Sequence, residues 1–105
     1  MRFMLKASMS TEGGNRAVLN GTLASTIKSV MEDMKPEAAY FTAVDGKRTG
    51  FFIVNVNDAS EIPGLAEPLF LTMDAHVEFY PVMSPQDMAN AGPGIERAVK
   101  KYGRK

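Results

Sequence analysis

The chain contains no cysteine and no tryptophan, and it has a single histidine. The absence of cysteine excludes disulfides, thiolate catalysis and cysteine-based zinc sites. A zinc site would have to be completed by carboxylates around that one histidine, so we expect neither a metal nor a cofactor.

The chain also lacks an excess of charge, because 12 Lys and Arg residues balance 12 Asp and Glu residues. Proteins that bind nucleic acids or anionic membranes normally show a basic excess, so neither partner is expected. No apolar run approaches the roughly 20 residues of a membrane-spanning helix. The N-terminal Met-Arg-Phe-Met-Leu-Lys has no signal-peptide pattern, so we expect a cytoplasmic protein. A length of 105 residues predicts one domain, residues 1–105.

The stretch 49–57 predicts a central strand, because it is rich in β-branched and aromatic residues and is bounded by turn residues. Alternation places Phe51, Ile53 and Asn55 on one face and Phe52, Val54 and Val56 on the other. Both faces are mostly apolar, so the strand needs cover on both sides. Three further strands are predicted at 2–9, 38–44 and 75–83, and Asp45-Gly46 predicts a hairpin between the second and third strands.

A single amphipathic helix is predicted from an N-cap at Asn15 to Met34, with Gly21 in its interior. Residues 10–14 are predicted as a polar loop. Two short helices, split by Pro68, are predicted between 61 and 73. The Ser84-Pro85 pair predicts the start of a helical extension, residues 84–105, which Gly92-Pro93-Gly94 interrupts.

The order strand, helix, strand, strand, helix, strand predicts an α+β fold of the ferredoxin-like βαββαβ type. Its four-stranded antiparallel sheet would carry the main helices on one face. The other face would expose Met4, Tyr80 and aromatic residues of the two middle strands of the chain. An exposed apolar surface of this size is unusual for a monomer, so we expect a homodimer whose sheets face each other.

This element order resembles the superfamily of dimeric α+β-barrel proteins. The superfamily includes antibiotic-biosynthesis monooxygenases, muconolactone isomerase-like enzymes and YCII-related proteins. The runs 67–71, 77–78 and 81–88 most closely resemble a small uncharacterised bacterial family of similar length. The resemblance implies a barrel of two sheets and, in any enzymatic member, cofactor-free monooxygenation or isomerisation of a small aromatic or quinol-like compound.

The candidate site residues are polar and aromatic side chains that strand alternation assigns to the proposed cavity on the sheet face. His76 and Glu78 are the candidate acid–base residues, and Lys6 is a predicted cross-strand neighbour of Glu78. The full set of candidate ligand-binding residues is Lys6, Tyr40, Asn55, His76, Glu78 and Tyr80. The sequence leaves open whether these residues line a cavity or a solvent-exposed strand end.

A second interpretation is a non-enzymatic dimeric module that binds a partner protein through its C-terminal helical tail. In that case Phe, Met and Val side chains would fill the barrel interior. Polar Lys6, Asn55 and Glu78 favour a cavity, whereas the phenylalanines favour a packed interior. The residues alone do not decide whether the protein is an enzyme.

Overall fold

The computed structural model describes residues 1–104. Its strands and helices are, in chain order, β1 (Arg2–Met9), α1 (Thr11–Leu19), α2 (Leu23–Met34), β2 (Ala38–Val44), β3 (Lys47–Asn55), α3 (Ile62–Met73), β4 (Ala75–Pro81), α4 (Pro85–Asn90) and α5 (Gly92–Tyr102). The strands form one antiparallel sheet in the order β2-β3-β1-β4. The predicted α+β fold with a ferredoxin-like sheet is therefore confirmed.

One face of the sheet packs against the helices and forms the core. Leu5 on β1 and Val54 on β3 are almost fully buried, together with Leu69 of α3. Side chains alternate along a strand, so Phe51 and Ile53 lie on the opposite face. The predicted position of β3 inside the sheet is confirmed, since β3 pairs with both β1 and β2.

The predicted single helix from Asn15 to Met34 is wrong, because the chain forms two helices there. Ser10 caps the first helix in place of Asn15, and its Oγ accepts a hydrogen bond of 2.9 Å from the Gly13 amide. The predicted polar loop therefore lies mostly inside α1. The helical conformation is interrupted between α1 and α2 at Gly21. Its φ of 70° is the left-handed conformation that commonly follows a helix C-terminus.

The predicted split of α3 at Pro68 is also wrong, because α3 continues through the proline. Pro68 cannot donate to the carbonyl of Gly64, one turn earlier. Gly64 is exposed, so solvent can hydrogen-bond to that carbonyl. Thr72 Oγ1 donates to the Pro68 carbonyl, which adds a side-chain bond one turn further on.

The strand ends agree closely with the sequence analysis. Asp45 and Gly46 both have positive φ, at 52° and 75°, which confirms the predicted hairpin turn. The strand β3 begins at Lys47, two residues earlier than predicted. The last residue of β4 is Pro81, at an edge of the sheet, where its missing amide costs no ladder bond.

The C-terminal tail, α4 and α5, extends away from this body. Ser84 and Asp87 form a capping box at the start of α4, as the Ser84-Pro85 pair predicted. The helical tail is interrupted, as predicted, but the break lies at Ala91, because Gly92-Pro93-Gly94 forms the first turn of α5. Every residue from 93 to 104 is exposed. The radius of gyration is 17.8 Å, against about 13 Å for a compact chain of this length. None of the helices in residues 1–104 combines the length and apolar character needed to cross a membrane.

Candidate functional site

The sheet face opposite the helices, called the open face below, is ordered into rows by the strand register. Lys6 on β1 pairs with Phe51 on β3 and with Glu78 on β4, and Phe51 pairs in turn with Tyr40 on β2. The neighbouring rows are Thr42, Thr49, Ser8 and His76 on one side, and Ala38, Ile53, Met4 and Tyr80 on the other. The β4 edge of the open face is therefore polar, while Met4, Phe51 and Ile53 form an apolar patch on the two central strands.

Four of these side chains, Lys6, His76, Glu78 and Tyr80, form what we call the Glu78 cluster. Glu78 Oε1 lies 3.9 Å from Lys6 Nζ and 3.5 Å from His76 Nε2. The other carboxylate oxygen, Oε2, accepts a hydrogen bond from the Tyr80 hydroxyl. Alternation along β4 brings the three β4 residues to one face, and antiparallel pairing adds Lys6.

The cluster favours an ionised Glu78. The Tyr80 hydrogen bond is the largest influence and lowers the pKa of Glu78, desolvation partly opposes it, and the charge of Lys6, with that of His76 when it is protonated, lowers the pKa by a smaller amount. The same hydrogen bond raises the pKa of Tyr80, because the hydroxyl proton is held by the carboxylate. At neutral pH the pair is therefore a carboxylate and a neutral phenol. Such a carboxylate is a strong hydrogen-bond acceptor.

Apolar side chains lie beside the cluster and form what we call the apolar floor: Met4, Phe51 and Ile53. All three are only partly buried, because the helices pack on the opposite face of the sheet. Tyr80 is 38% exposed and Tyr40 is 69% exposed. An apolar surface of this kind, next to a polar cluster, is typical of an interface or a ligand site.

The structure brings four of the six sequence-predicted site residues together, and it leaves Tyr40 and Asn55 at the margins. Tyr40 shares the row of Glu78 but lies three strands away, or about 14 Å. Asn55 lies at the end of β3, where its Oδ1 accepts a 3.0 Å hydrogen bond from the N-terminal ammonium. It lines a shallow groove with Arg2 and Asp87, apart from the Glu78 cluster.

The floor residues Phe51 and Ile53 are not among the predicted site residues, although strand alternation places them on one face with Asn55. A cavity of about 350 Å³ between α2 and the sheet, called the helix-side pocket below, is also absent from the sequence-based predictions. This pocket is on the opposite side of the sheet from the Glu78 cluster. No sequence signal located it, because it depends on how α1 and α2 pack on β3.

Within residues 1–104 there is no group of three His, Asp or Glu side chains arranged to hold a metal ion. The Glu78 cluster contains one carboxylate and one imidazole, together with an ammonium that would repel a cation. Its chemistry is therefore that of hydrogen bonding and proton transfer.

Fold and site together define a ferredoxin-like α+β protein with a polar cluster beside an apolar floor on an open sheet face. Comparison of the chain with protein-family models gave no match, and comparison with curated proteins gave none either. Membership of the dimeric α+β-barrel superfamily thus stays a prediction, and the function is inferred from the geometry of the site.

Proposed function

We propose that this protein is a cytoplasmic homodimer that binds a small hydroxylated aromatic molecule, of the phenol or quinol type, on its open face. The observation that carries the proposal is the position of the Glu78 cluster directly beside the apolar floor. An aromatic ring would pack on the floor, and its hydroxyl would donate to the Glu78 carboxylate.

A second copy of the chain would close the site. The floor residues are apolar and partly exposed, which favours burial against another apolar surface. Two open faces packed against each other would enclose a chamber between them. Exclusion of water from such a chamber would strengthen the hydrogen bonds and ion pairs of the cluster.

The arrangement supports cofactor-free chemistry that begins with proton transfer. The hydroxyl O–H bond of the bound molecule breaks, and its proton passes to the imidazole of His76, because the lowered pKa of Glu78 makes that carboxylate a weak base. The electron pair stays on the ring oxygen, where the Lys6 ammonium stabilises the resulting phenolate. Isomerisation of an aromatic compound can begin from such an anion, and so can monooxygenation with dioxygen as the oxidant; these are the reactions suggested by the resemblance.

The test is native mass spectrometry of gently purified protein, comparing the wild type with Glu78→Gln. We expect the wild type to appear as a dimer that carries an added small-molecule mass, and we expect Glu78→Gln to keep the dimer and lose most of that mass. Glu67→Gln is the matched control, since Glu67 is an exposed residue of α3. A bare wild-type monomer, or a bound mass that is unchanged in Glu78→Gln, would contradict the proposal.

A second candidate function rests on the tail. The residues Ile95, Val99 and Tyr102 recur along one side of α5, and each is more than half exposed. This apolar stripe would suit a groove on a partner protein. Deletion of residues 92–105 distinguishes the two candidates: it would abolish partner binding in the second, while the small-molecule mass of the first would remain.

A further inference from the structure

The helix-side pocket combines an apolar interior with one cation at its mouth. Ala7 and Phe52 line its sheet side, and Ile27 and Val30 line its α2 side. Leu69 and Met73 of α3, which are both buried, complete the lining. Its volume is about 350 Å³, at the lower end of the range for small-molecule sites. Arg48 of β3 also lines the pocket and is exposed to solvent, so it marks the mouth of the pocket.

The sequence keeps the sheet side of this pocket open. Gly50 is buried in β3, and a Cβ atom there would lie 2.9 Å from the ring of Phe52 and 3.2 Å from that of Phe41. With no side chain at Gly50, the two rings pack edge to face at a centroid distance of 5.7 Å. The pocket therefore presents bare backbone and aromatic edges to anything that enters it.

Arg48 is held over the pocket mouth by α1. Its guanidinium packs against Gly14, where a Cβ atom would lie only 2.5 Å from Nη1. Its Nη2 donates a 3.1 Å hydrogen bond to Asn15 Oδ1. Gly14 gives the guanidinium its space and Asn15 fixes its direction, so the side chain is positioned before any ligand arrives.

The guanidinium has no acidic partner in the described part of the chain. Arg2 and Lys6 of β1 each lie beside a glutamate, whereas the hydrogen-bond partner of Arg48 is a neutral amide. A guanidinium has five donors in a planar fork that matches a carboxylate. The mouth of the pocket therefore has charge complementarity to an anion, and its interior has none.

We propose that the helix-side pocket binds a small amphipathic carboxylic acid, with its aromatic or aliphatic body between α2 and the sheet and its carboxylate on Arg48. At about 30 Å³ for each water molecule, a cavity of about 350 Å³ has the space of about twelve waters, which suits a small acid. This site is separate from the Glu78 cluster on the other side of the sheet, so it goes beyond the proposed function.

The experiment measures binding of naphthoate and of its neutral analogue naphthamide to the full chain, by calorimetry or fluorescence titration. We expect saturable binding of one naphthoate for each chain, at least tenfold tighter than binding of naphthamide. Arg48→Gln should remove this preference for the anion. Ile27→Trp, which fills the pocket, should abolish binding of both compounds, and thermal unfolding followed by circular dichroism checks that each variant is folded.

Lys47→Gln is the matched control, because Lys47 is the neighbouring cation on β3 and its side chain lies on the opposite face. Lys47→Gln and Glu78→Gln should both bind naphthoate as the wild type does, which separates this pocket from the site on the open face. Equal affinity of Arg48→Gln and wild type for naphthoate would overturn the proposal. Naphthoate binding that appears only in Val99→Asp would also overturn the proposal. The apolar stripe of α5 from a second copy would then occupy the pocket in the wild type, and Val99→Asp would release it.

Discussion

At the scale of single residues, the hydrogen bond from the Tyr80 hydroxyl is the largest influence on the pKa of Glu78. It lowers the pKa of Glu78 and raises the pKa of Tyr80. A carboxyl whose pKa is lowered on folding stabilises the fold at pH values above its ordinary pKa of 4.5. This contribution is lost as the pH falls through the pKa of the folded state. A tyrosine whose pKa is raised on folding stabilises the fold at pH values below its ordinary pKa of 10.0. That contribution is lost as the pH rises through the pKa of the folded state.

Tyr80→Phe should therefore raise the pKa of Glu78 towards its ordinary value. Between pH 4.5 and pH 10.0 the free energy of unfolding of the wild type should exceed that of Tyr80→Phe. The difference should shrink below pH 4.5 and above pH 10.0. Carboxyl carbon chemical shifts followed by NMR during a pH titration report the pKa, and urea unfolding at several pH values reports the stability.

Asp87 provides an internal reference for this titration. Its pKa is lowered by hydrogen bonds to the backbone and side chain of Ser84, and the charge of Arg2 adds to the effect. Tyr80 contributes nothing to it, so Asp87 should titrate identically in the wild type and in Tyr80→Phe. A Glu78 pKa that does not move in Tyr80→Phe would show that the hydroxyl does not hold the carboxylate in solution.

The Glu78 cluster could be predicted from the sequence, whereas the position of Arg48 could not. Alternation along β4 and the pairing of the first and fourth strands are enough to bring Lys6 opposite Glu78. The position of Arg48 depends on the contact between its guanidinium and Gly14, which exists only because α1 begins at Thr11. Gly14 and Arg48 are 34 residues apart in the chain, so their contact leaves no local sequence pattern. The helix start that creates the contact was itself predicted at the wrong residue.

At the scale of elements, the break between α1 and α2 is the main departure from the sequence analysis. Leu19, Leu23 and Ile27 recur every four residues across the break, so the apolar period continues although the helix does not. Leu23 and Ile27 pack against the core while Leu19 is 85% exposed, so apolar spacing alone reports neither that the backbone stays helical nor that every apolar position faces the core. Pro68 is the opposite case, since a residue that normally ends a helix lies inside α3.

The sign of the effect of Gly21→Ala distinguishes a broken helix from a continuous one. In a continuous helix alanine would stabilise the fold by about 1 kcal/mol relative to glycine. Because Gly21 has a φ of 70°, we expect Gly21→Ala to destabilise the protein by about 1 kcal/mol. No atom lies within 4 Å of the added Cβ, so the cost is that of the backbone conformation alone. Urea unfolding at neutral pH measures the change in the free energy of unfolding.

Gly64→Ala is the matched control for this measurement. Gly64 lies inside α3, and an added Cβ there also meets nothing within 4 Å. This substitution should stabilise the protein by up to about 1 kcal/mol. Stabilisation by Gly21→Ala as well would mean that α1 and α2 are one helix in solution.

At the scale of the whole molecule, the apolar floor of the open face and the stripe along α5 both lack an intramolecular partner within residues 1–104. The two surfaces differ in how firmly the rest of the fold fixes their position. The floor belongs to the two central strands of a rigid sheet, whereas the stripe lies on a tail that extends the molecule to 61 Å in its longest dimension. A preorganised surface loses less conformational entropy on association, which favours the sheet face as the site of self-association.

Ile53→Glu should convert the proposed dimer into a folded monomer. Ile53 lies at the centre of the floor, and a carboxylate there would be buried without a partner when two open faces meet. In the monomer the same carboxylate would be in contact with solvent, so the fold itself should lose little stability. Size-exclusion chromatography with light scattering at micromolar concentration measures the mass, and circular dichroism checks the fold.

Leu19→Glu places the same charge at an apolar residue outside the open face. Leu19 ends α1 and is 85% exposed, so this variant should keep the mass of the wild type. Deletion of residues 92–105 should also leave a dimer if the open faces carry the association. A dimeric Ile53→Glu combined with a monomeric deletion variant would assign self-association to the tail, and the Glu78 cluster would then lie on a surface that a second copy does not close.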